Sequence, residues 1–298
     1  MSAANRQALI TKTFKVLKKY YEPTAPPADR PVLEHLLYAC CLESAKFDHV
    51  DEVFAKLEQN YFDWNEVRVT TVAELAEVMA LLPDAADAAR RLKRTLQSVF
   101  ETHYSFELEF LKKQNLGKAI EQAEKLNGVS PFGVAYLTQN ALAGHAIPLC
   151  AAAFEVLQLL GIISEADAAK RRVPGMERAI PKNKGVEFGS LLHQLSVDYA
   201  ATPHSPRIRA ILLEIAPDAK DRFPKRTTKK EGEAPESGTA APPRGAKPPQ
   251  AAPPPSRRSA AKAGEQPERP RRPAGSSGEE SSTRAKSASK RLTRKKPR

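Results

Sequence analysis

Apolar side chains return at three- and four-residue intervals along most of residues 1–224, and the intervals break where proline, glycine and small polar residues gather. "RQALITKTFKVLKKYY" carries Leu9, Phe14, Leu17 and Tyr21 at helical spacings, and "EPTAPPADRP" then breaks the chain. Pro31 stands where a second helix can start, because the amide proton it lacks would have no partner there, and "VLEHLLYACCLES" is apolar enough for the centre of a domain. In "KFDHVDEVFAKLEQNY" the stripe Phe47, Val50, Phe54, Leu57 follows i, i+3, i+7, i+10. "TVAELAEVMALL" opens on Thr71 with Glu74 at a capping-box spacing. Helical patterns continue through "PDAADAARRLKRTLQSVFETHY", "SFELEFLKKQ" and "NLGKAIEQAEKL". No convincing strand interrupts them, so the expected fold class is all-α.

The stretch "KLNGVSPFGVAYL", residues 125–137, joins two such helices through a tight turn. Gly128 suits a turn that needs φ > 0, and Val134, Leu137 and Leu142 give the second helix an apolar run. A hairpin of this kind turns backbone N–H groups outward, where they can cradle a phosphate.

Composition divides the chain. Residues 225–298 hold 20 Lys and Arg against 7 Asp and Glu, 12 of the chain's 25 prolines, and Leu292 as the only Ile, Leu, Val, Met, Phe, Trp or Tyr. Such a segment has too little to bury to offset the entropy of ordering, and disorder is expected. The formal net charge of +12 therefore splits into +13 on the arm and −1 on residues 1–224. An arm ending "SASKRLTRKKPR" attracts polyanions by counterion release, with Lys290, Arg291, Arg294, Lys295 and Lys296 as the densest run. Solubilisation and nuclear targeting are the competing uses of such a run.

Cys40, Cys41 and Cys150 make neither a disulfide framework nor a metal spacing, and the adjacent pair reads as small buried side chains. The six histidines show no zinc spacing, with His145 expected at the surface or beside a site. Asp48 and Asp51 read as a solvated helix face and Trp64 as core. No apolar run approaches a membrane span and the amino end lacks a signal-peptide core, so a soluble intracellular protein is expected.

The order of these elements resembles the endonuclease III group of helix–hairpin–helix DNA glycosylases over roughly residues 5–224. "RPVLEHLLYACCLESAKFDHVDEVFAKL" is similar to the early helix pair, "LNGVSPFGVAYL" to the pattern "LPGVGxKTAxxxL", and "IPLCAAAFEVLQLLGII" to "xPVDTHVxRVxxRLGL". The resemblance implies a middle lobe at about 30–130 and a second lobe made of 1–29 and 131–224, with the first helix packed near the last ones. It implies DNA as the partner, a monomer, and a place on the nucleoid in the cytoplasm, or in the nucleus of a eukaryote.

Carried over residue by residue, the resemblance puts the family's lysine nucleophile at Phe132 and its aspartate at Cys150, neither of which can serve. The second hairpin glycine falls on Ser130, the basic residue after it on Pro131, and the glutamine that fills the gap left by a flipped base near Ser44. The four-cysteine cluster motif falls in a region without cysteine, so no iron–sulfur cluster is expected. Asn127, Gly128, Val129, Ser130 and Ser44 remain as DNA-contact candidates beside the arm. Two readings stay open: a catalytically degenerate DNA-binding protein, with a protein partner at the degenerate site as a further contact, and a glycosylase with a relocated carboxylate such as Glu155.

Overall fold

The computed structural model describes residues 3–224; the arm, with Lys290, Arg291, Arg294, Lys295 and Lys296, lies outside the described residues. The described chain is all helical: α1 (Ala3–Tyr20), α2 (Val32–Leu42), α3 (Phe47–Asn60), α4 (Trp64–Val69), α5 (Val72–Val78), α6 (Ala85–His103), α7 (Leu116–Glu124), α8 (Pro131–Asn140), α9 (Ala151–Leu159), α10 (Glu165–Ala169), α11 (Met176–Ala179), α12 (Lys182–Ala201) and α13 (Pro206–Ile215). Short 3₁₀ turns occupy Glu109–Lys113 and Pro217–Arg222. None of these helices is long and apolar enough to cross a membrane.

Two clusters of buried side chains organise the helices. In the first, α2 packs against α8, α6, α3 and the turn at Glu109–Lys113, α5 and α7 join through α6 and α8, and of the residues of α2 only Glu34 escapes burial. The stripe of α3 faces this cluster, and the Thr71–Glu74 capping box starts α5. That helix stops at Val78 rather than running on to Leu82, because a turn closes with the Leu82 N–H donating to Met79 O; Leu75, Met79 and Leu82 stay buried all the same. The second cluster gathers α1, α9, α12 and α13. Here α1 is tied down along its length. Phe14 meets Phe188 edge to face at 5.5 Å, the Tyr21 hydroxyl donates to Asp198 at 3.1 Å, and Arg6 donates to Ile162 O at 2.9 Å.

Cap chemistry explains the elements that periodicity does not announce. Asp63 accepts from Glu66 N and starts α4, and a Ser164–Asp167 capping box starts α10. Leu142 falls outside α8, contrary to the apolar run read from the sequence. Leu142 N–H donates to Leu137 O, Gly144 N–H donates to Thr138 O, and Ala143 sits at φ +49°, so the chain turns away after Asn140.

The turn between α7 and α8 is pressed against α6. Gly128 has φ +98°, and a Cβ there would lie 2.7 Å from Thr95 N and 2.8 Å from both Arg91 O and Arg94 Cβ. Two constraints therefore demand glycine, a left-handed backbone and a helix in the way. Gly128→Ala should cost about 2–5 kcal/mol, the sum of a strained φ and an overpacked contact. A urea-denaturation midpoint equal to that of the parent would show that the hairpin does not rest on α6 in this way.

Candidate functional site

The hairpin holds most of its polar groups internally. Asn127 N–H donates to Ser98 Oγ at 2.9 Å and Val129 N–H to Leu126 O at 3.3 Å, so neither amide is free for a ligand. Ser130 caps α8 by accepting from Gly133 N–H at 3.2 Å, and Pro131 follows in the first turn. Among the described residues, the N–H groups of Gly128 and Ser130 have no internal acceptor. Arg91 links this turn to the one that carries Ser44. Its backbone O lies against Gly128, while its guanidinium donates to Cys40 O at 3.0 Å and lies 3.8 Å from Glu43. Ser44 is half-buried between α2 and α3, and exposed Arg94 flanks Gly128. Lys46 pairs with Asp198 at 2.7 Å, bridging from the first cluster to α12.

Behind the hairpin a column of rings crosses from one cluster to the other. Tyr38 stacks on Tyr136 at 6.0 Å, Tyr136 on Phe132 at 6.2 Å, Phe132 faces His193 at 5.6 Å, and Phe47 meets His193 edge-on at 5.3 Å. Phe132 is 2% exposed. The space left beside it, lined by Thr24, Pro26, Phe132, Tyr136, Gln139 and His193, is about 20 Å³. One water needs about 10–15 Å³ and small-molecule pockets start near 300 Å³, so this cavity has room for little beyond a single water.

The sequence does not single out His193, one polar residue among the leucines of "SLLHQLS". It is fully enclosed, with Nε2 2.9 Å from Ala45 O, which makes Nε2 the protonated nitrogen and leaves Nδ1 buried without a partner among the described residues. Burial lowers its pKa to about 4 and keeps the ring neutral.

Cys150 precedes the first turn of α9, and burial pushes its thiol up to about 11. Cys40 is pushed up to about 11 in the same way, and Cys41 is raised further. All three are therefore neutral thiols near pH 7. Glu155 is exposed on α9, where its charge adds to the burial that raises the Tyr199 phenol, and it does not line the cavity. His145 lines a separate groove, where its Nε2 is buried without a partner. Among the described residues no three His, Cys, Asp or Glu side chains are placed to hold a metal ion.

No protein-family model matches the chain, and no curated protein does. Solved structures do. Endonuclease III in a non-covalent DNA complex is similar at a TM-score of 0.52 and 16% identity, over 74% of this chain and 99% of that one. Endonuclease III trapped as a covalent DNA intermediate gives a TM-score of 0.51 and 15% identity, over 75% and 100%. The chain has the helix–hairpin–helix DNA glycosylase fold. A thermostable thymine-DNA glycosylase also aligns, at 19% identity and a TM-score of 0.48 over 69% of this chain and 91% of that one. Within this glycosylase fold the hairpin is α7–turn–α8, Phe132 stands in the first turn of its second helix, and the ring column fills the space behind it.

The buried histidines set a pH dependence. His193 and His35 are both lowered to about 4 from 6.5 by burial, so the unfolded chain binds protons that the folded chain refuses. Their contribution is fully present above pH 6.5 and is lost as the pH falls toward 4, on the order of 3 kcal/mol for His193. Glu34, raised to about 6, acts in the opposite sense over part of that range. His193→Gln keeps a donor for Ala45 and removes one titrating group, so its stability should fall less steeply between pH 6.5 and 4 than the parent's. Equal slopes in denaturant titrations would mean that His193 titrates normally.

Proposed function

We propose that this chain is a DNA-binding protein built on the glycosylase fold that does not excise bases. The observation that carries the reading is the ring column: Phe132 and His193 occupy the interlobe space to within about 20 Å³, leaving no room for a flipped base. Base excision with strand cleavage also needs an amine nucleophile and an ionised carboxylate, where this chain offers a phenyl ring and a thiol held neutral near pH 7. The relocated-carboxylate alternative has little to draw on, since Glu155 faces solvent beside Tyr199. No iron–sulfur cluster is part of this reading: the sequence has no cysteine after Cys150, and the three it has are enclosed as neutral thiols.

DNA is the proposed partner because the two endonuclease III structures of this fold are DNA complexes, and because the polar features that remain suit a phosphodiester backbone. Gly128 and Ser130 offer N–H groups, Asn127 and Val129 shape the turn, Ser44 lies across Arg91 from it, and the arm adds charge. The chain would bind as a monomer in the compartment that holds the chromosome. A protein partner docked over the closed pocket is compatible with the same surface.

Purified chain on duplexes carrying damaged bases or abasic sites should release no base and give no borohydride-trapped adduct. Release that exceeds the uncatalysed background would overturn the closed-pocket reading and return attention to Glu155.

Changing Lys290, Arg291, Arg294, Lys295 and Lys296 together to Gln should weaken binding to plain duplex and flatten its salt dependence. The slope of log K against log salt should fall by about 0.9 for each phosphate that the arm ceases to neutralise. An unchanged slope would remove the arm from the interface.

A further inference from the structure

The near-neutral sum over residues 1–224 conceals a basic strap. Residues 170–184 carry Lys170, Arg171, Arg172, Arg178, Lys182 and Lys184 against Glu177 alone. Lys184 is engaged by Glu187 at 3.0 Å. The other five cations are exposed and, among the described residues, have no carboxylate within ion-pair distance. Elsewhere Lys18, Lys19, Lys56 and Lys125 are each paired with a glutamate, while cations without an ion pair among the described residues, such as Lys12, Lys15 and Lys118, are spread over α1 and α7 rather than gathered.

The strap is also shaped. Arg172 and Arg178 stand at a concavity of about 370 Å³ whose other walls include Ile147, Leu149, Pro174 and Met176. Ile147 and Leu149 belong to the loop that leads into Cys150 and α9. Gly175, at φ +80°, turns the strap at its centre, and nothing stands within 4 Å of where its side chain would be. Glu177 lines this concavity and also the groove formed with Val129 and Pro131, so strap and hairpin adjoin along one surface.

From this placement we infer that Arg172 and Arg178 form a DNA-phosphate contact of the folded part of the chain, next to the hairpin and independent of the arm. The inference rests on the DNA-binding reading above. Two unpaired guanidiniums at one concavity match the oxygens of a phosphodiester, and the planar fork of each holds them with direction as well as charge. The apolar wall from Ile147 and Leu149 suits the sugar beside that phosphate. Such a contact positions the duplex and carries no base preference. Glu177, between the two arginines in sequence, works against the contact and so supplies an internal control.

The test uses the full chain on an undamaged duplex, with binding measured at several salt concentrations. Arg172→Gln with Arg178→Gln should lower affinity about tenfold or more at low salt and reduce the salt slope by roughly 1, the value for one phosphate no longer neutralised. Glu177→Gln should raise affinity severalfold, a change that misfolding cannot produce. If the parent binds the duplex while the double variant matches it in affinity and slope, or Glu177→Gln leaves affinity unchanged, the strap assignment is overturned and the DNA-binding reading stands. If the parent does not bind the duplex at any salt concentration, the DNA-binding reading itself fails, and the strap assignment with it.

Discussion

The arrangement depends on one contact between the two clusters of buried side chains: the imidazole of His193, on α12, reaching Ala45 O in the turn between α2 and α3 while its face lies against Phe132 on α8. A neutral ring can do both at once. It donates one hydrogen bond across the junction and contributes an apolar face to the stack, at the cost of one unpaired buried nitrogen. The Lys46–Asp198 pair and the Thr24 N–H donating to Ser190 Oγ at 3.1 Å brace the same junction from its edges. The linker between α1 and α2 is thereby laid over the cavity, with Thr24 and Pro26 among its walls. What keeps the clusters in register therefore also fills the space between them to within about 20 Å³.

Charge is organised differently. A sum of −1 over residues 1–224 suggests a surface indifferent to polyanions, yet the sum averages paired and unpaired groups. Exposed ion pairs such as Lys125–Glu121 contribute little stability and present almost no field beyond a Debye length. Unpaired cations gathered on one strap do present one. For association with a polyanion, the local imbalance at 170–184 counts for more than the total, and in the proposed reading it lets the folded part hold a register on DNA that a flexible arm cannot.

Periodicity and cap chemistry carry much of the fold. The α3 stripe, the Thr71 capping box and the turn at Gly128 are legible in the sequence because each rests on neighbours within a few residues. Contacts between residues far apart are not. Nothing local to "SLLHQLS" says that His193 will meet Ala45 and Phe132, which lie 148 and 61 positions away. Short caps such as Asp63 and Ser164 stay hidden because the helices they start, α4 and α10, are too brief to show a period. Asn127 looks like a free hairpin amide in the sequence, since the Ser98 hydroxyl that takes its proton comes from α6. The strap is masked because the sum over residues 1–224 averages it away.

Positions 132 and 150 are both buried, and burial limits what either could carry. An amine at position 132 would stand against the neutral His193 ring, in a cavity of about 20 Å³ with no ionised carboxylate in its lining, and burial would drive it toward its uncharged form. An aspartate at position 150 would face the same cost in reverse, since burial already raises the thiol there to about 11. A charge at either position would be costly without a partner. Phe132→Lys would therefore place an unpaired polar group in an apolar seam and strain the junction that aligns the two clusters. The ring stack at this junction thus favours neutral side chains at both positions, and it is self-consistent without any charged group.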